Sequence, residues 1–338
     1  MAAAILHLMK NTKGDMGHLQ AATPLRQLPP LHGIRNLFLK DESVHENGTF
    51  KDRLSHLAIS RNPSGTTFAC ISYGNTAVSL ARAQRGNRSP DARCGDVVIF
   101  LPRTFADWKL GPSSLGSELA ASLVIDELRS SAHVLPVDLG SQYLDDDTLK
   151  GLAHGMGVPT SKFLNVTEGL DVPAYVDVIR EAVDQLGRPP DVCLVPYGAG
   201  ILCNEIRDHL AALGHGIVVP LSVGRPDSIA RMLFGPLWLD VNALELDGVA
   251  LSRHRSPDRT GTSRQPYPVW CVRESEILRG LRIATSLRLS TEPSAAVGLG
   301  VLPRIEEFVP HFQRKTDTVL VINTGNGIDG FLRGHPVQ

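Results

Sequence analysis

Apolar positions along the chain fall into two alternating patterns. Short continuous runs at 36–40, 67–71, 97–101, 133–137, 192–196, 217–221 and 318–322 read as strands buried on both faces. Between them lie stretches with helical spacing. The first covers 49–61, where Leu54, Leu57 and Ala58 share a face; others cover 76–85, 115–130, 145–155, 173–186, 201–213, 274–287 and 294–308. Buried strands alternating with helices predict an α/β fold of mostly parallel open sheets with helices on both faces. The rhythm pauses near 165–175, which divides it into two α/β units, and no internal repeat is visible. Thr23-Pro-Leu-Arg26 opens a proline-bounded lead-in to the first strand. Two stretches break the pattern. Residues 85–96 form a polar loop, and 252–268, rich in Arg, Ser, Thr and Pro, read either as a mobile lid or as an exposed linker.

Length agrees with two units: 338 residues at roughly 150 per domain leave ample material for a core. Lys and Arg total 34 against 35 Asp and Glu, a net charge of −1, so nothing electrostatic points to nucleic acid or an anionic membrane as a partner. No run reaches the ~18 apolar residues of a membrane span. The apolar residues 1–9 lack a preceding basic stretch and a cleavage site, so a cytoplasmic protein is expected. Cys70, Cys94, Cys193, Cys203 and Cys271 are scattered without a C-x-x-C pair, which argues against a disulfide framework and a zinc site; no metal is expected. Within the basic set only eight residues are Lys, so few side chains offer a titratable amine.

Five motifs carry candidate chemistry. In Asn47-Gly-Thr-Phe-Lys-Asp-Arg53, Thr49 can cap a helix starting at Phe50 or Lys51. Lys51 then lies in a first helical turn, where the helix dipole disfavours the ammonium form and favours an amine nucleophile toward a carbonyl. A solvated surface lysine is the plainer reading. Ser72-Tyr-Gly-Asn-Thr76 joins a strand to a helix and offers amides to an anion such as a carboxylate, though such turns are also routine helix starts. Val195-Pro-Tyr-Gly-Ala-Gly200 repeats that geometry with glycines that admit a phosphate, or is an ordinary strand–helix turn. Thr291-Glu-Pro-Ser-Ala-Ala296 begins a helix. Val321-Ile-Asn-Thr-Gly-Asn-Gly327 ends a strand where ligands bind in open α/β sheets, with Thr324 at the strand end. Capping and turn chemistry alone could account for either of these last two.

Together and in this order, with Thr23-Pro-Leu25 and Lys40-Asp-Glu42 ahead of them, the motifs resemble the fold-type II pyridoxal-phosphate (PLP) enzymes, the tryptophan synthase β family, most closely its threonine synthase-like group. The resemblance spans nearly the whole chain. It implies a larger PLP-binding domain of 1–67 and 168–338, a smaller domain of 68–167 carrying a substrate-carboxylate loop, and PLP in the cleft between them. It implies that Lys51 carries the cofactor and shuttles the substrate Cα proton, and that Asn75 hydrogen-bonds the ring hydroxyl. Gly198, Ala199, Gly200, Ile201 and Leu202 would cradle the phosphate, and Ser72, Tyr73, Gly74 and Thr76 would hold the substrate carboxylate. Thr324 would meet the ring nitrogen; a hydroxyl there weakens the electron sink and suits expulsion of a good leaving group from the β or γ carbon. A homodimer is expected by resemblance alone.

Departures from the family pattern bear on the substrate. The lysine motif reads Glu46-Asn-Gly-Thr-Phe-Lys without the usual Pro-Thr, Tyr73 replaces a small residue, Ile201 replaces a glycine, and the final motif lacks its lysine. The expected activity is elimination or replacement on a small amino acid, in the threonine synthase manner from O-phosphohomoserine. Cysteine synthase-like replacement and serine/threonine dehydratase-like deamination are the alternatives, and a catalytically silent binding subunit is the remaining one.

Overall fold

The computed structural model describes residues 21–62, 65–72, 74–86, 95–102, 126–137, 144–167, 169–198, 200–223 and 270–327. Its strands form two sheets. The larger contains β1 (Leu25–Gln27), β2 (Asn36–Asp41), β7 (Val192–Pro196), β8 (Ile217–Val223), β9 (Trp270–Val272) and β10 (Thr318–Asn323), in the order β1-β2-β10-β7-β8-β9. The smaller contains β3 (Thr67–Ile71), β4 (Val97–Pro102), β5 (His133–Val137) and β6 (Phe163–Asn165), in the order β5-β4-β3-β6. Every pairing is parallel except β1 with β2. All residues of β3 and β10 are buried, as central strands covered on both faces must be.

Helices supply the cover. Helix α1 (Lys51–Arg61), α2 (Asn75–Gly86), α4 (Val176–Leu186) and α5 (Ile201–Ala212) share one core that also holds Phe68 and Cys70 of β3 and Leu320 and Ile322 of β10. That core therefore joins the two sheets. Helix α6 (Glu274–Ser286), α7 (Val297–Gly300) and α8 (Ile305–Phe308) cover the other face of the larger sheet, and α3 (Asp146–Gly155) that of the smaller.

The expected strands and most helices stand within a few residues of the sequence reading. Three elements of three residues, β1, β6 and β9, were not anticipated, being too short to show a period. The helix expected over 294–308 is instead α7, a 3₁₀ turn at Leu302–Arg304 and α8. Pro303 lacks the amide that a continuous helix needs there. Of the helix expected over 115–130 only 126–130 is described, and it is helical. Residues 1–9, 87–94 and 252–268 lie outside the described residues. β2, read with the first series of strands, pairs along its whole length with β10, from Asn36 with Thr318 to Asp41 with Asn323.

The N-terminal lead-in is anchored by a buried polar network. Lys40 Nζ, fully buried, donates to Thr23 O and Glu181 Oε2, each at 2.6 Å. The Arg53 guanidinium reaches Glu42 (Nε–Oε2 2.7 Å) and Glu181 (2.8 and 2.9 Å), while Thr23 Oγ1 donates to Glu42 Oε1 at 2.6 Å. Burial lowers the affinity of Lys40 for its proton, and Glu181 and Glu42 offset part of that loss. Thus Thr23, Lys40, Glu42 and Arg53, residues of three separate motifs, tie β2 and α1 to α4.

Candidate active site

Helix α1 presents Lys51 as its first residue. The N-cap is Phe50, with no side-chain cap, and not Thr49 as expected; Thr49, one residue earlier, accepts from the Lys51 amide through Oγ1 at 3.3 Å. The preceding turn is closed by Asp52, whose carboxylate accepts from Asn47 N (2.8 Å) and Nδ2 (2.9 Å). Gly48, at φ 68°, makes that turn. The Lys51 amine stands 4.5 Å from the centre of the Phe50 ring and 5.6 Å from that of Tyr175.

The loop after β10 is stitched to this turn. Phe50 N donates to Thr324 O, Asn326 N to Gly48 O, and Glu292 N to Gly325 O, each at 2.9 Å. A Cβ on Gly325 would come 2.7 Å from Gly48 O, so the close approach requires glycine. The sequence motifs around residues 49, 292 and 324 thereby become one piece of structure.

A cavity of about 120 Å³ opens at this junction. Lys51, Ser72, Asn75, Thr76, Gly198, Gly200, Ile201, Leu202 and Thr324 all line it. The loops that follow β3, β7 and β10 all reach it, the expected ligand position for parallel sheets. Gly74 does not line it: its amide donates to Ser72 Oγ at 3.1 Å, within the turn that starts α2. Ser72 Oγ also accepts from Ala77 N at 3.3 Å, which leaves its own proton to donate. Tyr73 and Ala199 lie outside the described residues.

Helix α5 aims its N-terminus at the cavity. Its N-cap is Gly200 at φ 83°, a conformation suited to glycine, and no side chain caps the first turn. The amides and dipole there suit a phosphate. Lys51 supplies an amine, Thr324 a hydroxyl, and Phe50, Leu54, Val166 and Leu221 an apolar wall. The residues present therefore fit an anionic, ring-bearing carbonyl cofactor. Of the buried thiols, burial pushes Cys70 up to about 12 despite Lys51 nearby, and burial with Cys203 raises Cys193.

Sequence reasoning missed several lining residues. Glu292 and Ser294 belong to a motif read as a helix start, yet both line the cavity. Glu292 accepts from Asn75 Nδ2 at 3.0 Å and from Ser294 Oγ at 2.8 Å. Burial raises its carboxyl, and Asn75, Ser294 and Lys51 pull it back only in part. The signal was available, as an acidic residue before proline in an otherwise apolar stretch. Thr167 had none. It accepts from Ile71 N at 2.8 Å, fixing the end of β3 from a loop after the unanticipated β6.

Two mainly parallel sheets meeting at a cleft lined by Lys51 and by the N-terminus of α5 define a cofactor-dependent enzyme of the α/β class. The chain belongs to the pyridoxal-phosphate-dependent enzyme family, whose sequence pattern matches residues 18–325. Its cofactor is pyridoxal phosphate. Among solved structures it is similar to holo diaminopropionate ammonia lyase from Escherichia coli (20% identity, 99% of this chain and 90% of that one, TM-score 0.60). It is likewise similar to a PLP-dependent aspartate racemase (17% identity, 90% of each chain, TM-score 0.60). A fungal L-serine ammonia-lyase from Rhizomucor miehei gives 18% identity, 90% and 93% coverage and TM-score 0.56. At these identities the likeness is one of fold. No curated protein sequence matches the chain significantly.

Among the described residues no helix is long and apolar enough to cross a membrane. Nor do they contain a group of three or more His, Cys, Asp or Glu placed to hold a metal ion.

Proposed function

We propose that the protein eliminates a leaving group from the β or γ carbon of a small amino acid. The observation that carries this reading is the convergence of Lys51, Asn75, Thr324 and the α5 N-terminus on one cavity. Bound PLP supplies an electron sink that acidifies the substrate Cα proton. Lys51 holds the cofactor and, once released, takes that proton and can return it. The α5 amides at Gly200, Ile201 and Leu202, with Gly198 and Ala199 before them, bind the phosphate. Ser72 and Thr76 bind the substrate carboxylate through their hydroxyls, in a loop that also contains Tyr73 and Gly74. Asn75 donates to the ring oxygen. Thr324 meets the ring nitrogen with a neutral hydroxyl, which favours elimination over reactions that need a deeper sink.

Within that chemistry, β-elimination with release of ammonia and a 2-oxo acid is the reading to test first. Diaminopropionate and serine ammonia lyases are among the structures of the same fold. The threonine synthase-like reaction is the second reading. The Lys40-Asp-Glu42 and Phe50-Lys-Asp-Arg53 motifs point to the threonine synthase-like and dehydratase-like groups alike and so do not favour it over the first. Lys40, Glu42 and Arg53 are spent on the buried network and none lines the cavity. The two sheets support a division into a larger domain of 1–67 and 168–338 and a smaller one of 68–167.

The test has two stages. Borohydride reduction of PLP-loaded protein should fix a pyridoxyl mass on Lys51, and a protein with no reducible adduct would be a silent binding subunit. The loaded protein is then offered 2,3-diaminopropionate, serine, threonine, O-acetylserine and O-phosphohomoserine in turn. Ammonia with 2-oxo acid supports the first reading, and phosphate with threonine the second. Bound PLP with no product from any of them overturns both.

A further inference from the structure

Glu292 is the only carboxylate among the described residues that line the cavity, and the elimination chemistry gives it no task. It lies deep in the protein yet keeps accessible surface, and its environment is built in detail. Oε1 accepts from Ser294 Oγ at 2.8 Å, and Oε2 accepts from Asn75 Nδ2 at 3.0 Å. Its own amide is tied to Gly325 O at 2.9 Å. A Cβ on Gly327 would fall 2.7 Å from Oε2, so the chain passes close against the carboxylate.

We infer that Glu292 is a positioning residue that sets which face of the Asn75 amide is offered to the cofactor ring. A side-chain amide presents an acceptor oxygen on one side and two donor hydrogens on the other, and with no fixed partner it can turn over. The ring oxygen beside the reacting carbon is anionic in the working cofactor and needs a donor. Glu292 takes one hydrogen of Asn75 Nδ2, which fixes the nitrogen on that side and leaves its second hydrogen to give. The bond spans 217 residues of sequence, so it also couples α2 to the segment before α7, which Glu292 N in turn ties to the Thr324 loop at Gly325 O. The inference rests on the donor role proposed for Asn75.

The experiment is a PLP titration of resolved full-length protein, read by the affinity and the position of the bound cofactor's visible band. Glu292→Ala should weaken PLP by about tenfold, the scale of one buried hydrogen bond, and move the band to that of Asn75→Ala. Glu292→Gln keeps an oxygen for Asn75 and should stay within about threefold of wild type. In the Asn75→Ala background the Glu292→Ala change should add less than about twofold, because the two residues act as one unit. Should Glu292→Ala fail to fold, Ser294→Ala loosens the same carboxylate and should shift the band in the same direction. A wild-type band and affinity in Glu292→Ala, a full additional loss on top of Asn75→Ala, or Glu292→Gln as impaired as Glu292→Ala would each overturn the inference. Wild-type protein that binds no PLP would instead defeat the functional reading, and a harmless Asn75→Ala would defeat the Asn75 role.

Discussion

Glu42 illustrates how single side chains decide the stability of the site's scaffold. Burial alone would raise its carboxyl, but hydrogen bonds from His45 and Arg53 outweigh that and hold it at about 2. Because the folded value lies below the ordinary 4.5, the stabilisation is complete above that pH and is lost as the pH falls toward 2. Unfolding free energy measured by urea titration should therefore drop across that window, and Glu42→Gln should flatten the drop. At neutral pH the same substitution leaves Arg53 with one carboxylate partner fewer and should cost about 3–5 kcal/mol. Lys51, Asn75 and Thr324 were legible in the sequence because each sits in a local motif beside a helix start or strand end. Glu181 was not, since its partner Lys40 lies 141 residues away, and for Glu292, though its motif was visible, the bond to Asn75 217 residues away was not. The Thr23, Lys40 and Arg53 motifs were visible, but their common purpose appears only when α4 brings Glu181 to them.

Among the elements, α5 and the α6–α7 pair invite separate tests. Gly200 caps α5 at φ 83°, and Gly200→Ala would place a Cβ where the left-handed backbone resists it, at roughly 1–2 kcal/mol. Its position at the cavity means PLP affinity should fall further than the melting temperature does, which parallel titration and thermal melts would reveal. Gly280 and Gly300 have a different use. A Cβ on Gly280 would lie 2.2 Å from Ala296 O, and one on Gly300 would lie 1.9 Å from Glu276 O, so α6 and α7 touch backbone to backbone. Gly280→Ala should cost about 1–3 kcal/mol through overpacking. The displaced α7 follows directly on the segment carrying Glu292, so PLP affinity should drop as well. Element types were legible where the apolar period ran for five residues or more. Pairing was not: a buried strand such as β2 carries no mark of whether β3 or β10 will lie beside it.

On the scale of the molecule, two sheets share one core and one cavity. Among the described strands, the one latest in the chain completes the larger sheet at its centre, with β10 between β2 and β7. A chain ending at residue 313 would leave β2 and β7 without a common neighbour and expose Leu37, Leu39 and Leu194, all buried in the whole protein. Such a truncation should be recovered as an aggregate or a loosely folded species, seen as loss of a cooperative melt and of PLP binding together.

That placement also sets a timetable for biosynthesis. Asn323 Nδ2 binds Asp41 Oδ1 across 282 residues, and Thr324 O receives the amide that precedes Lys51. At ribosomal speeds of roughly 5–20 residues per second, the lysine turn waits on the order of half a minute for the strand that fixes it. A nascent chain thus carries its reactive amine long before it can aim it. Competence to capture the cofactor arrives only once residues 318–326 have been made, so a translation product interrupted before them is a poor candidate to sequester a reactive aldehyde.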